Sequence, residues 1–260
     1  MTSETIDRIN NIINTFRSIS LEEMKSIRLM NRTDTKYVVN ISILPTLLNE
    51  ALNNYRIQEV EGERNIAYAT VYYDTVDKKM YTAHQNGKKT REKIRMRSYV
   101  ASNLSFLEIK NKNNRGRTDK KRIRIKNGDN FMNTEDTRVF LRKHAIFTPD
   151  ELTPQLENNF SRITLVNNEM TERLTIDTGL RFHNITTNND CALSQIAIIE
   201  LKRDGRTPSP MYNMLLRMHI HTMGFSKYCI GSALTDPQLK QNLFKERIRT
   251  ILKLNRITHE

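Results

Sequence analysis

The amino-acid sequence predicts an α+β fold: a closed, eight-stranded antiparallel β-barrel with helices packed on its outside. Three observations carry this. Strand-like segments recur along most of the chain, and their short polar links favour antiparallel pairing. Six of them have one aliphatic face and one charged face. The chain also holds about seven helical segments, enough to cover the aliphatic faces from outside.

The helices follow from local signals. Ile6, Ile9, Ile12, Ile13 and Phe16 recur at helical spacing and predict an amphipathic helix over 4–17. Ser20 and Glu23 form a capping-box pattern for a second helix running to about residue 29. Ser42 opens a third, with Leu44, Leu47, Leu48 and Leu52 behind it. A fourth covers 75–85 and ends at Asn86-Gly87, and a fifth covers 134–145. Ser209-Pro210 supplies an N-cap with proline at the first helical position, and that helix stops before Gly224. Asp236-Pro237 repeats the device for a last helix to 254.

Strands are predicted at 34–40, 56–61, 66–73, 91–101, 104–112, 119–126, 158–167, 171–178 and 194–203, with hairpin loops at 112–117 and 187–190. Successive side chains in a strand point to opposite faces. Lys93, Arg95 and Arg97 therefore share a face opposite Ile94 and Met96. Glu108 and Lys110 oppose Leu107 and Ile109, and Arg122 and Arg124 oppose Ile123 and Ile125. Arg162 and Thr164 oppose Ile163 and Leu165; Arg173, Thr175 and Asp177 oppose Leu174 and Ile176; Glu200 and Lys202 oppose Ile199 and Leu201. Ordinary half-buried sheets alternate too, but their outer faces mix signs with uncharged polar residues. Here Arg and Lys dominate. If helices cover the aliphatic side, the cations line the interior, and a lumen of about eight strands accommodates a ligand.

Charge narrows that ligand to a polyanion: nucleic acid, an anionic membrane or a phosphate-rich small molecule. Lys and Arg number 42 against 29 Asp and Glu, a net charge of +13. Desolvated cations around a lumen need a polyanion among them. Arginine grips phosphate oxygens bidentately. Carboxylates in such a field, Glu108 and Glu200 among them, suit a divalent metal with oxygen ligands, Mn²⁺ or Mg²⁺. The mean hydropathy of −0.62, the absence of a long apolar run and the lack of a signal-like N-terminus predict a soluble chain. Two cysteines, Cys191 and Cys229, fit a reducing cytoplasm. His219 and His221 stand two apart on a predicted helix and make a poor metal pair, and Cys229 reads as a buried thiol in a strand-like segment. P-loop and Rossmann glycine patterns are missing.

Several motifs occur in order: Asn31-Arg32-Thr33-Asp34-Thr35-Lys36-Tyr37, Tyr72-Tyr73-Asp74-Thr75, Lys93-Ile94-Arg95-Met96-Arg97, Phe106-Leu107-Glu108-Ile109-Lys110, Ile199-Glu200-Leu201-Lys202 and Phe225-Ser226-Lys227-Tyr228. Together they resemble the VTC-type polyphosphate polymerase domain of the triphosphate tunnel metalloenzyme superfamily, over about residues 20–232. The resemblance implies a single domain over 1–260: N-terminal helices 4–30, tunnel core 31–232 and C-terminal helix 236–254. It also implies transfer of the γ-phosphate of ATP to a growing inorganic polyphosphate chain, with Mn²⁺ preferred. By motif, Lys36, Arg95, Arg97, Lys110, Arg162 and Lys227 match the phosphate-gripping residues. Arg173 and one of Lys121 or Arg122 match less closely, Glu200 matches the metal-ligating glutamate, and Ser226 adds a hydroxyl to phosphate. With Lys93, Arg124 and Lys202 from the charged faces, these form the expected substrate wall, and Glu108 joins Glu200 as a candidate metal ligand.

The chain departs from two family patterns. It lacks the inositol-phosphate-sensing and membrane portions of the fungal polymerases, so it resembles a free-standing bacterial form without its own export. Asp34-Thr35-Lys36 stands where the triphosphatase branch has Glu-x-Glu-x-Lys, which argues against thiamine triphosphatase or adenylate cyclase activity. The same wall would serve a tripolyphosphatase that uses water as acceptor. It would also serve an inactive polyphosphate-binding subunit, although the full cationic set and Glu200 speak against that. A nucleic-acid-binding β protein would present aromatic stacking platforms, whereas the chain has no Trp and its basic faces interleave with Thr and Glu.

Overall fold

The computed structural model describes residues 3–25, 27, 32–126, 131–205 and 207–256. Helix α1 (Ser3–Thr15) buries Ile9 and Ile13 as its periodicity requires. The Ser20 and Glu23 capping box forms: Glu23 Oε2 accepts from the Ser20 N–H at 2.8 Å, and Ser20 Oγ accepts from the Glu23 N–H at 3.2 Å. The helix behind it, α2 (Leu21–Lys25), is shorter than predicted. Of the rest of that prediction Ile27 is described and is not helical; residues 26, 28 and 29, and Asn31 of the first motif, lie outside the described residues.

Eleven strands form among the described residues: β1 (Ser18–Ile19), β2 (Arg32–Asn40), β3 (Tyr55–Gln58), β4 (Asn65–Asp74), β5 (Arg91–Tyr99), β6 (Leu104–Lys112), β7 (Thr118–Ile125), β8 (Thr153–Asn167), β9 (Glu172–Asn184), β10 (Asp190–Leu193) and β11 (Ile196–Asp204). Eight follow one antiparallel path, β2-β11-β9-β8-β4-β5-β6-β7. β3 pairs with β8, β1 runs parallel to β3, and β10 pairs with β9.

The predicted closure is corrected. Among the described residues β2 and β7 end the path without pairing to each other, so the sheet is open. It nevertheless curls. Five strand spacings of ~4.8 Å would hold β2 and β5 about 24 Å apart in a flat sheet, beyond effective electrostatic reach. Yet Lys93 on β5 donates to Ser226 Oγ at 3.0 Å, while the next residue, Lys227, reaches Asp177 on β9, and the charge of Lys36 on β2 helps burial push Lys93 down against the pull of Cys229. The charged faces therefore look into a shared concavity.

Helices cover the aliphatic side. α1, α3 (Leu44–Ala51) and α6 (Pro210–Arg217) pack on Ile163, Leu165, Leu174, Ile176, Ile199 and Leu201. α5 (Glu135–His144) covers Ile94, Leu107 and Ile109. No helix among the described residues is long and apolar enough to cross a membrane.

Three helix expectations and one strand expectation need correction. α4 (Lys79–Gln85) starts later than 75, because Thr75 and Lys78 form the turn that precedes it. α6 stops at Arg217; His219 adopts φ +55°, and the chain then runs beside β2, with the Met223 N–H donating to the Lys36 carbonyl at 2.8 Å. Asp236-Pro237 starts only a turn, in which Asp236 Oδ1 accepts from the Gln238 N–H at 3.1 Å and Oδ2 is held by Lys78 at 3.0 Å, and α8 (Lys245–Arg256) begins further on. The strand-like segment at Cys229 is helical: α7 (Lys227–Thr235), capped by Ser226, whose Oγ accepts from the Cys229 N–H at 3.3 Å. α7 lies on the concave side, where Gly231 packs against Phe182 and Leu156.

Candidate functional site

Pairing register assembles the site. Glu200 stands opposite Lys36 on one side and Thr175 on the other, and Lys202 stands opposite Arg173. Arg162 faces Asp177. Arg95 faces Tyr72 and Glu108, Arg97 faces Thr70 and Phe106, and Lys93 faces Lys110. Glu108, Lys110 and Phe106 face Arg122, Lys120 and Arg124 on β7. Direct cross-strand partners share a face of the sheet, so all these side chains belong to the concave wall. Lys121 does not. It stands opposite Ile109 on the other face, exposed and 3.6 Å from Asp119.

Three buried or half-buried carboxylates organise the cations. Glu108 accepts from Arg95, with Nε at 2.7 Å and Nη2 at 2.6 Å from Oε2, and its other oxygen takes Lys120. Asp177 takes Arg162 through two parallel bonds, Nε to Oδ1 at 2.5 Å and Nη2 to Oδ2 at 2.8 Å, and also Lys227. Glu200 meets Lys202 at 2.8 Å and Lys36 at 3.6 Å. Burial alone would raise these carboxyls, but the adjoining cations outweigh it and hold all three well below the ordinary carboxylate range.

The cations still outnumber them. Lys36, Lys93, Arg95, Arg97 and Lys110, with Lys120, Arg162, Lys202 and Lys227, make nine against Glu108, Asp177, Glu200 and, exposed opposite Lys202, Asp34. Arg97 is the extreme case. It is only 7% exposed, and its Nε has no hydrogen-bond partner among the described residues. Its guanidinium lies 5.3 Å above the Tyr68 ring and 6.0 Å from that of Phe160, rings stacked 5.2 Å apart. Burial, with the like charges of Arg95 and Arg162, brings its pKa down to about 10. Lys110 is pushed down to about 7, mainly by burial and Arg95. Lys227, at the start of α7, lies 4.3 Å from the Phe160 ring centre. Its neighbour Ser226 accepts from Lys93 Nζ at 3.0 Å. α7 thus ties β9 to β5 across the concavity. Buried cations in excess make a site for a multiply charged anion, because leaving them uncompensated costs several kcal/mol per ion.

Arg122 and Arg124 lie on the exposed outer part of this wall, and the Arg122 guanidinium sits 4.9 Å above the Phe106 ring. Sequence reasoning missed three contributors. Lys120 belongs to a basic cluster, Lys120-Lys121-Arg122, that fits a solvated edge as well as a wall, and only register with Lys110 puts it inside. Asp177 was legible on the Arg173 face but had no role until Arg162 and Lys227 met it. The Tyr68 and Phe160 platform gave no charge signal, though its alternation with Thr70 and Arg162 was visible.

A family model described as the VTC domain matches residues 31–235 of the chain. The chain belongs to the VTC domain family. No curated protein sequence matches it. Solved structures similar to this VTC domain include an adenylyl cyclase candidate from Hippeastrum, described as having a dominant triphosphatase activity (14% identity, TM-score 0.49, covering 78% of this chain and 96% of that one). Two further adenylate cyclase candidates are also similar, from Bacillus halodurans (13%, TM-score 0.48, 76% and 96%) and Vibrio parahaemolyticus (10%, TM-score 0.43, 77% and 97%).

Tunnel metalloenzymes work with divalent metals, so the VTC wall must be tested for one. Among the described residues no three His, Cys, Asp or Glu side chains gather as a metal cage. Glu108 is 1% exposed and saturated by Arg95 and Lys120. Glu200 is more open: its side chain is 21% exposed, Lys202 holds one oxygen at 2.8 Å, and Lys36 approaches the other only to 3.6 Å. A hard cation that brings phosphate oxygens and takes one or two carboxylates fits Glu200; a metal bound by the protein alone does not.

Proposed function

We propose that this VTC domain is a polyphosphate polymerase that binds ATP and the end of an inorganic polyphosphate chain on its concave face and moves the γ-phosphoryl group from one to the other. The observation that carries the reading is Arg97, a buried guanidinium with an orphaned Nε among nine converging cations. Such a wall neutralises a chain of phosphates, and phosphoryl transfer asks a protein for positioning and charge neutralisation above all.

In this reading a terminal oxygen of the polyphosphate forms the new bond to the γ-phosphorus. The bond from that phosphorus to the β–γ bridging oxygen breaks, and ADP leaves with the electron pair. The attacking oxygen is already anionic, so no side chain needs to remove a proton. Lys36, Arg95, Arg97, Lys110, Arg162 and Lys227 hold donor and acceptor in line. Lys93, Arg122, Arg124, Arg173, Lys202 and Ser226 extend the grip. Lys121, on the other face, is left out of it. Glu200 is the residue that would hold Mn²⁺ or Mg²⁺, which when bound neutralises phosphate oxygens; Glu108 instead fixes Arg95 and Lys120.

Incubation of the purified protein with ATP and Mn²⁺, followed by gel electrophoresis, tests the reading. A ladder of polyphosphate is expected. Orthophosphate without a ladder would assign the site to triphosphate hydrolysis, and no consumption of ATP would reduce it to a binding site.

A further inference from the structure

We propose that the β6–β7 hairpin, residues 112–126, extends the concave wall onto the free edge of the sheet as a rail for the part of the polyphosphate chain that lies outside the concavity. The inference rests on the phosphate-chain reading of the concave site and adds a second surface to it. Lys112, Arg115 and Arg117 stand at its turn, and Lys120, Lys121, Arg122, Arg124 and Lys126 follow along the strand, against a single carboxylate, Asp119. Eight positive charges less one leaves +7 of the chain's net +13 in fifteen residues. Residues 113–122, 124 and 126 are all exposed.

A lysine-rich edge strand is an ordinary guard against sheet-to-sheet pairing, but one or two charges suffice for that. This concentration exceeds what a guard needs, and it sits where it continues the site. Lys120, Arg122 and Arg124 stand opposite Lys110, Glu108 and Phe106, so the row starts in the concave wall and runs onto the free edge of the sheet. β7 ends the strand path, and among the described residues nothing pairs with its outer side. A flexible polyanion leaving Lys110 and Lys120 therefore meets cations about 6.8 Å apart on one face of the strand, at two residues per repeat.

Chemistry selects a bare phosphate chain over a nucleic acid. Single-stranded nucleic acid is held by aromatic stacking as well as charge. Residues 112–126 contain no aromatic side chain, and the nearby Phe106 ring is covered by the Arg122 guanidinium at 4.9 Å.

The test compares the full chain with its R115Q/R117Q variant, two exposed residues at the hairpin turn, outside the concave wall. The probes are inorganic tripolyphosphate, long-chain polyphosphate and a single-stranded oligonucleotide. Tripolyphosphate should bind both proteins alike, which also reports a folded variant. Long-chain polyphosphate should bind the variant roughly tenfold more weakly and with a shallower salt dependence, as fewer counterions are released. Unchanged long-chain affinity overturns the rail while leaving the concave site standing, as does loss of both phosphate ligands together. An oligonucleotide that binds the wild type as tightly as long polyphosphate overturns it in favour of nucleic acid. Wild-type protein that binds neither phosphate probe removes the functional reading, and the rail with it.

Discussion

The Tyr228 hydroxyl donates to Asp74 Oδ2 at 2.6 Å, joining two residues 154 positions apart. Asp74 is fully buried, and it also accepts from the backbone N–H groups of Thr75 at 2.7 Å, Met80 at 2.9 Å and Tyr81 at 2.9 Å. One carboxylate thus caps the start of α4 and grips the first turn of α7. The Tyr228 ring stacks on Tyr72 at 5.3 Å, and the residues before it, Lys227 and Ser226, reach into the cationic wall. At the other end of α7, Lys78 holds Asp236.

Tyr228→Phe removes only the hydroxyl and should cost roughly 1.5–3 kcal/mol, the range for a hydrogen bond to a charged group. Asp74→Ala strands three N–H groups as well and should cost more. Urea denaturation measures both. In Tyr228→Phe, a weakened grip on tripolyphosphate is expected with Lys227 intact, and unaltered affinity would leave the latch a purely structural one.

Arg97 separates stability from function. Arg97→Met removes a buried, poorly compensated cation, so stability should hold or rise. The same change should raise the barrier to phosphoryl transfer by ~2–4 kcal/mol, as for other lost electrostatic donors. Thermal unfolding and turnover measured on one preparation decide it; a variant that loses stability and keeps turnover contradicts the assignment.

Lys227 makes binding depend on pH. Burial, aided by Arg162 and opposed by Asp177, brings its ammonium down to about 8. Tripolyphosphate affinity should fall as pH rises through 8, and Lys227→Arg should flatten that fall, since a guanidinium stays charged. For stability the sign is opposite. Between the folded value of about 8 and the ordinary 10.5 the unfolded chain binds the extra proton, so this residue's contribution rises with pH across that window. Isothermal titration from pH 7 to 9 reads the first effect, and urea midpoints read the second.

Glu200→Ala should abolish turnover while leaving polyphosphate binding largely intact, because Lys36 and Lys202 lose a competitor for phosphate. Chelation should silence the wild type, and Mn²⁺ should restore it. Equal turnover of variant and wild type at saturating Mn²⁺ would remove Glu200 from the metal role.

Gly231→Ala tests the seat of α7. A Cβ there would come within 2.4 Å of Phe182 Cδ1 and 2.8 Å of Leu156 Cδ2, both packed side chains. Overpacking of this kind costs about 1–3 kcal/mol or more. A lower melting temperature and weaker tripolyphosphate binding are expected together, because Lys227 rides on the displaced helix.

The aliphatic and charged faces of the strands were legible in the sequence alone, because side-chain alternation is a two-residue property of the backbone. So were the helix caps at Ser20 and Ser209 and the cationic excess, which local hydrogen bonding and composition dictate. The Ser226 cap was equally local, yet the aromatic and β-branched residues around it read as a strand, and only packing of α7 on Phe182 and Leu156 made that segment helical. Which carboxylate holds which cation, the orphaning of Arg97 and the open edge between β2 and β7 belong to the tertiary structure. Each depends on register and curvature between segments far apart in the chain, and no local pattern of residues encodes those distances.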